Sequence, residues 1–307
     1  MTRHLLSLAD LEPDELGAIL DLAAEADPPP VLAGLGVALL FEHPSARTRN
    51  ATELAVVQLG GHPVSLRGEE VGLDRRETAE DVARTLGCYH CAIAARVANH
   101  TTLERMAAAL DAAGVAVPVV NLLSDREHPT QAIADLLTLR QELGSLAGRT
   151  LCYVGDANNV CRSLVAAAAL TGMRLHVASP AGFGLAPDDL AWAEKLGGLP
   201  RLFDRPEEAV AGADAIYTDV WVSMGQDDES AARRRAFEGF SVDEALLSHA
   251  PEGVRVLHCL PAHRGEEISA GVLEGPNSVV WRQAANRMHA ARAVLWFLHQ
   301  AAAGEAR

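Results

Sequence analysis

The sequence predicts an α/β protein of two doubly wound domains, each a mainly parallel sheet flanked by helices, joined by interdomain helices. Three observations carry this. Short apolar runs of β-type residues alternate along the chain with amphipathic or alanine-rich stretches of helical length, the pattern of parallel sheets covered on both faces. At 307 residues and 49% hydrophobic content, the chain is long enough for two such units with substantial cores. The alternation also breaks once, at Gly144-Ser145-Leu146-Ala147-Gly148, which reads as a hinge.

The elements follow in order. Residues 36–41, Gly-Val-Ala-Leu-Leu-Phe, are apolar as a strand buried on both faces requires. A helix over 48–59 follows, then strand 62–66, helix 77–86, strand 90–96, helix 101–112, strand 117–121 and helix 129–142. Beyond the hinge come strands 150–155, 174–178, 214–218 and 254–258, with alanine-rich patches around Ala166 and Ala301 reading as helix. The last of these belongs to a C-terminal helix over 283–303. There is no internal repeat and no low-complexity tract.

Composition narrows the function. A formal net charge of −15 argues against general nucleic-acid or anionic-membrane binding, since both partners attract a basic surface. No apolar run reaches the roughly 20 residues of a membrane helix. The N-terminal Met1-Thr2-Arg3-His4-Leu5 lacks the features of a secretory signal, so the expectation is a cytoplasmic protein. Five cysteines, an odd number, fit free thiols in a reducing compartment. Cys88 and Cys91 form a lone C-x-x-C at a helix-to-strand junction, read here as structural.

The unusual residues cluster in one kind of place. Ser45-Ala46-Arg47-Thr48-Arg49 follows the first strand, Arg96 ends the third, and His128-Pro129-Thr130-Gln131 follows the fourth. In the second half Asp156-Ala157-Asn158-Asn159, the segment Asp219 to Gly225, and His258-Cys259-Leu260-Pro261 each come just after a strand. The carboxyl edge of an open α/β sheet is where ligands bind, so two such edges facing one another would enclose a cleft. The 45–49 cluster offers hydroxyls, bidentate guanidiniums and a helix N-terminus to a phosphate. Its plainer reading is a helix start, with Ser45 as N-cap and solvated arginines, but positive charge belongs at the other end of a helix.

Other conspicuous residues take plain readings. His43, His62 and His100 read as loop or surface residues. Arg233-Arg234-Arg235, preceded by Asp227-Asp228-Glu229, reads as a solvated helix with paired charges or part of a mobile loop. A nicotinamide dehydrogenase would share the fold, but Gly155-Asp156-Ala157-Asn158-Asn159 lacks G-x-G-x-x-G.

Four motifs in order, Ser45-Ala46-Arg47-Thr48-Arg49, His128-Pro129-x-Gln131, Asp219-x-Trp221-x-Ser223-Met224-Gly225 and His258-Cys259-Leu260-Pro261-Ala262, resemble the aspartate/ornithine carbamoyltransferase family. The last two are similar to its ornithine branch. The resemblance runs from about Phe41 to Arg292. It implies transfer of the carbamoyl group from carbamoyl phosphate to the δ-amine of L-ornithine, giving citrulline and phosphate, in arginine metabolism.

It further implies a carbamoyl-phosphate domain over 1–142, completed by the C-terminal helix 283–307, and an ornithine domain over 143–282. Ser45, the Ala46 N–H, Arg47, Thr48 and Arg96 would bind phosphate. Arg96, His128 and Thr48 would reach the carbonyl oxygen, and Gln131, the Leu260 carbonyl and Arg287 the carbamoyl nitrogen. Asp219 and Ser223 would bind the α-ammonium of ornithine, and Asn159 with the Met224 backbone its carboxylate. Catalysis would fall to Arg96, His128, Cys259 and Arg287. Cys259, its thiolate favoured by neighbouring arginines, would orient the amine or manage its proton. The Leu260-Pro261 bond would be cis, and residues 263–267 a loop that orders the site.

The chemistry calls for no metal or organic cofactor, and a homotrimer, or a multiple of trimers, is the implied assembly. Two departures stand out. Ala46 replaces the family's usual threonine, and the 67–76 loop lacks the glutamine that the family extends into a neighbouring subunit's site. A carbamoyltransferase for another amine such as putrescine, and a non-catalytic carbamoyl-phosphate-binding relative, remain open, although Asp219 with Ser223-Met224-Gly225 argues for an α-amino acid.

Overall fold

The computed structural model describes residues 2–222 and 230–305. By internal packing the chain divides into one unit of Met1–Ala134 with Asn286–Arg307 and a second of Asp135–Ala285.

The first unit contains strands β1 (Gly36–Phe41), β2 (His62–Arg67), β3 (Ala92–Arg96) and β4 (Val119–Leu123), paired in parallel in the order β2-β1-β3-β4. Its helices are α1 (Pro13–Ala24), α2 (Ala46–Gln58), α3 (Gly68–Val71), α4 (Ala79–Gly87) and α5 (His100–Ala112), with the start of α6 (Pro129–Leu143). Proline at the first position of α1, followed by Asp14 and Glu15, makes a favourable start to a helix. Ala38, Leu40, Ile93, Ala95 and Val119 form one sheet face and pack with Val82, Ala83 and Leu86 of α4 and Leu103, Met106 and Leu110 of α5. The alternate residues Val37 and Leu39 are also fully buried, which is why β1 carries no polar residue.

The second unit contains β5 (Thr150–Val154), β6 (Arg174–Ala178), β7 (Arg201–Phe203), β8 (Ala215–Thr218) and β9 (Arg255–His258), all parallel, in the order β7-β6-β5-β8-β9. Its helices are the remainder of α6, then α7 (Asn159–Thr171), α8 (Pro187–Lys195), α9 (Pro206–Val210), α10 (Ser230–Ala236), α11 (Glu244–Leu247), α12 (Ala270–Leu273) and the beginning of α13 (Val280–Glu305), which continues into the first unit. Val154, Ile216, Val256, Phe237, Val242 and Ile268 are among its core residues.

Strand β7 is absent from the sequence reading. It spans three residues at a sheet edge with Leu202 half exposed, too short and too wet to show a hydrophobic period. His100, read as a loop or surface residue, is instead buried at the start of α5, where Nδ1 lies 2.8 Å from Ser124 Oγ. Among the described residues, no helix is long and apolar enough to cross a membrane.

Both sheets are wound outward from their first strand. In the first the winding reverses between β1 and β3, in the second between β5 and β8, and at such a switch point the loops leaving two adjacent strands diverge to open a crevice.

Candidate functional site

At the first switch point β1 runs out into Ser45, which occupies the N-cap position of α2. The serine makes no capping hydrogen bond. Its Oγ accepts instead from Arg96 Nη1 at 3.1 Å, across from the end of β3. The first turn of α2 holds no acidic residue. Its two arginines differ. Arg49 is paired with Glu53 one turn on, Nε to Oε1 2.9 Å, and that carboxylate also accepts from Ser65. Arg47 is exposed.

Thr48 is buried beneath them, and its Oγ1 accepts from Arg287 Nη2 at 2.7 Å. Arg287 comes from α13, and the same nitrogen lies 3.4 Å from His128 Nε2. Because guanidinium only donates, His128 presents a lone pair there. Its pKa is driven well below the usual histidine range, first by burial, then by Arg287, Arg96 and Arg47, so the ring is neutral at physiological pH. Burial and the neighbouring Arg47 also lower the pKa of Arg96. Arg96 Nε is buried and meets no acceptor among the described residues. Gln131 is buried one turn into α6 beyond His128. Cations thus gather around a neutral imidazole at the start of two helices, an arrangement complementary to an anion.

In the second unit Gly155, at φ +139°, turns the chain off β5 into Asp156 and Asn158. Asn158 caps α7, its Oδ1 accepting from Val160 N and Cys161 N, while Asn159 is the first residue of that helix. Asn158 Nδ2 donates to Asp219 Oδ2 at 2.7 Å. The other oxygen of this buried carboxylate accepts from Val220 N and from Cys259 Sγ, both at 2.8 Å. Cys259 Sγ thus lies at hydrogen-bonding distance from a carboxylate, a neighbour that the sequence alone does not indicate. Leu260 follows at φ +60°, and its bond to Pro261 is cis.

Within its own unit, the structure brings Ser45, Thr48, Arg96, His128 and Arg287 together, with Ala46, Arg47 and Gln131 on the same chain segments. Asp219 and Cys259 meet in the other unit, with Asn159 beginning α7 and Leu260 next to Cys259. Ser223 and Met224 lie outside the described residues.

Four participants were missed in the sequence. Asn158 carried a signal, since asparagine before a helix reads as an N-cap. His258 stood in a quoted motif, but its partner Glu267 lies nine residues on. Arg233 is not on a solvated face. It is buried, donates to Trp221 O at 2.6 Å, pairs with Asp156 and stacks on Phe183. Asp219, His258 and Cys259 bring ligand-type atoms within 4.8 Å of one another, but hydrogen bonds within the protein already engage all three side chains.

Residues 3–141 match the family described as aspartate/ornithine carbamoyltransferase, carbamoyl-P binding domain, and residues 147–298 its Asp/Orn binding domain. The ornithine carbamoyltransferase of Acidothermus cellulolyticus is 50% identical, with 99% of each chain covered. That of Thermus thermophilus is 47% identical with 96% of each covered. The solved ornithine carbamoyltransferase of Pyrococcus furiosus superposes with a TM-score of 0.89 at 42% identity, covering 95% of this chain and 96% of that one. With both halves matched in chain order and each sheet presenting its polar residues at a switch point, the chain belongs to the aspartate/ornithine carbamoyltransferase family.

Proposed function

We propose that this protein transfers the carbamoyl group of carbamoyl phosphate to the δ-amine of L-ornithine, giving L-citrulline and phosphate. The observation that carries the reading is the convergence of Arg47, Arg96 and Arg287 on a neutral, buried His128. Ser45, the Ala46 N–H, Arg47, Thr48 and Arg96 hold the phosphate. Arg96, His128 and Thr48 face the carbonyl oxygen, while Gln131, the Leu260 carbonyl and Arg287 hold the carbamoyl nitrogen.

Attack by the neutral δ-amine forms the new C–N bond and places negative charge on the carbonyl oxygen. The C–O bond to phosphate then breaks and the amine's proton ends on phosphate. Fixed cations and donors aimed at those oxygens lower the barrier because they need no reorganisation as charge develops. Asp219 and Ser223 take the α-ammonium of ornithine, Asn159 and the Met224 backbone its carboxylate, and Cys259 orients the δ-amine. The chemistry calls for no metal or organic cofactor. We place the enzyme in the cytoplasm, in arginine metabolism, as a homotrimer or a multiple of trimers, an assembly that light scattering reads directly.

The test is citrulline formation by purified protein from carbamoyl phosphate with L-ornithine, run beside putrescine, L-lysine, N-acetyl-L-ornithine and L-aspartate while phosphate release is followed. Turnover confined to ornithine is expected. Turnover with a different amine alone overturns the acceptor, and binding of carbamoyl phosphate without turnover overturns the enzyme.

A further inference from the structure

We propose that His258 and Glu267 form a buried positioning pair that sets the conformation of Cys259 and Leu260, an inference that rests on the roles just given to those two residues. Neither His258 nor Glu267 is assigned a substrate contact. Both are buried, at 1% and 0% exposure. The backbone N–H of His258 donates to Gln283 Oε1 at 2.9 Å, and Gln283 is itself fixed by bonds to Asp135 Oδ1 at 2.7 Å and Tyr217 Oη at 3.2 Å.

The imidazole does the rest. Its Nδ1 lies 2.8 Å from the N–H of Leu260. A backbone amide can only donate, so Nδ1 carries a lone pair and the ring proton sits on Nε2. That nitrogen lies 3.1 Å from Glu267 Oε1, and the same oxygen accepts the N–H of His263 at 2.5 Å. Three residues of the turn, 258, 260 and 263, are thus tied to one imidazole and one carboxylate. Leu260 lies between them at φ +60°, a left-handed conformation unfavourable for an ordinary side chain. The bond from its N–H to His258 holds it there and thereby fixes the direction of its carbonyl and of the adjacent Cys259 Sγ. Without the pair the turn relaxes toward negative φ, and both groups move.

The geometry specifies which atoms matter, and hence which substitutions are tolerated. Glu267→Gln keeps an oxygen for the Nε2–H and the His263 N–H, so kcat stays within about threefold of wild type. Glu267→Ala lowers kcat about 100-fold, the size associated with misplacement of a reacting group by about an ångström, while the Kd for carbamoyl phosphate stays within about threefold. Asparagine at 258 can present an oxygen near the place of Nδ1, whereas glutamine reaches toward Nε2. His258→Asn therefore retains at least about tenfold more kcat than His258→Gln.

An independent readout needs no catalysis. In full-length protein labelled with 15N-histidine, the neutral His258 ring shows the Nε2–H tautomer. An Nδ1–H tautomer, or equal kcat losses in the asparagine and glutamine variants, overturns the pair. So does a Glu267→Ala protein that is less stable yet keeps wild-type kcat per folded molecule. If wild-type protein makes no citrulline, the functional reading fails, while the tautomer still tests the pair.

Discussion

Replacing Arg233 with methionine keeps an apolar side chain near Phe183 and Phe237, whose ring centroids lie 4.8 and 5.9 Å from the guanidinium carbon, and deletes the charge that faces Asp156. Removing one partner of a buried ion pair strands the other, at a cost of about 3–5 kcal/mol. The cost here depends on pH. Burial pushes the Asp156 pKa up to about 6 even though Arg233 pulls it down. The unfolded chain's carboxylate titrates at about 3.9, so over the interval between, the folded state holds a proton that the unfolded state has lost. Stability contributed by this residue therefore falls as pH rises from about 4 to about 6 and is level above. The fall amounts to about 3 kcal/mol. Without Arg233 the folded pKa is higher still, so the fall continues beyond pH 6. The deficit of Arg233→Met is then largest at about pH 8 and smaller at about pH 5.5. Urea unfolding followed by tryptophan fluorescence at both pH values measures it. A second substitution, Asp156→Asn, restores most of the loss at about pH 8. Equal deficits at the two pH values, or no recovery with Asp156→Asn, refute the reasoning.

Four further outcomes are expected. Arg47→Ala weakens carbamoyl phosphate by about 10- to 150-fold, from the loss of about 1.5–3 kcal/mol of charge-assisted hydrogen bonding, whereas Arg49→Ala, whose partner is Glu53, changes it by less than about threefold; calorimetric titration separates them. Cys259→Ala lowers citrulline turnover at least about tenfold while carbamoyl phosphate binding is preserved, as steady-state kinetics beside direct binding will show. Ala46→Thr restores a hydroxyl to the first turn of α2 and tightens carbamoyl phosphate about fivefold, from about 1 kcal/mol, in the same titration. Because the His128 pKa is lowered, its folded form resists the proton that the unfolded chain accepts near pH 6.5. Wild-type stability therefore drops as pH falls through that value, and His128→Gln blunts the drop in urea unfolding at about pH 5.5.

The sheets were largely legible because strands buried on both faces must be apolar, and a run such as Val37 to Phe41 suits no other setting as well. The positions of the polar motifs after those strands were legible for the same reason. What escaped was decided by packing at a distance. Nothing local distinguishes Arg233 from Arg234 and Arg235, yet one is buried against two phenylalanines and the others line the outside of a helix. Likewise Arg47 and Arg49 read as equals until Glu53 is seen to claim the second. The thiol of Cys259 could not be assigned its neighbour from sequence, since Asp219 lies forty residues away and reaches it only because β8 and β9 are adjacent.

Asn158 spends both ends of one small side chain on different tasks. Its oxygen closes the start of α7, and its nitrogen holds the carboxylate of Asp219. The placement of the Asp219 carboxylate and the integrity of a core helix are therefore not separately adjustable. An aspartate here would still cap the helix but would set two carboxylates against each other, and an alanine would loosen both at once. Any substitution at this position therefore acts on the helix and on the carboxylate together.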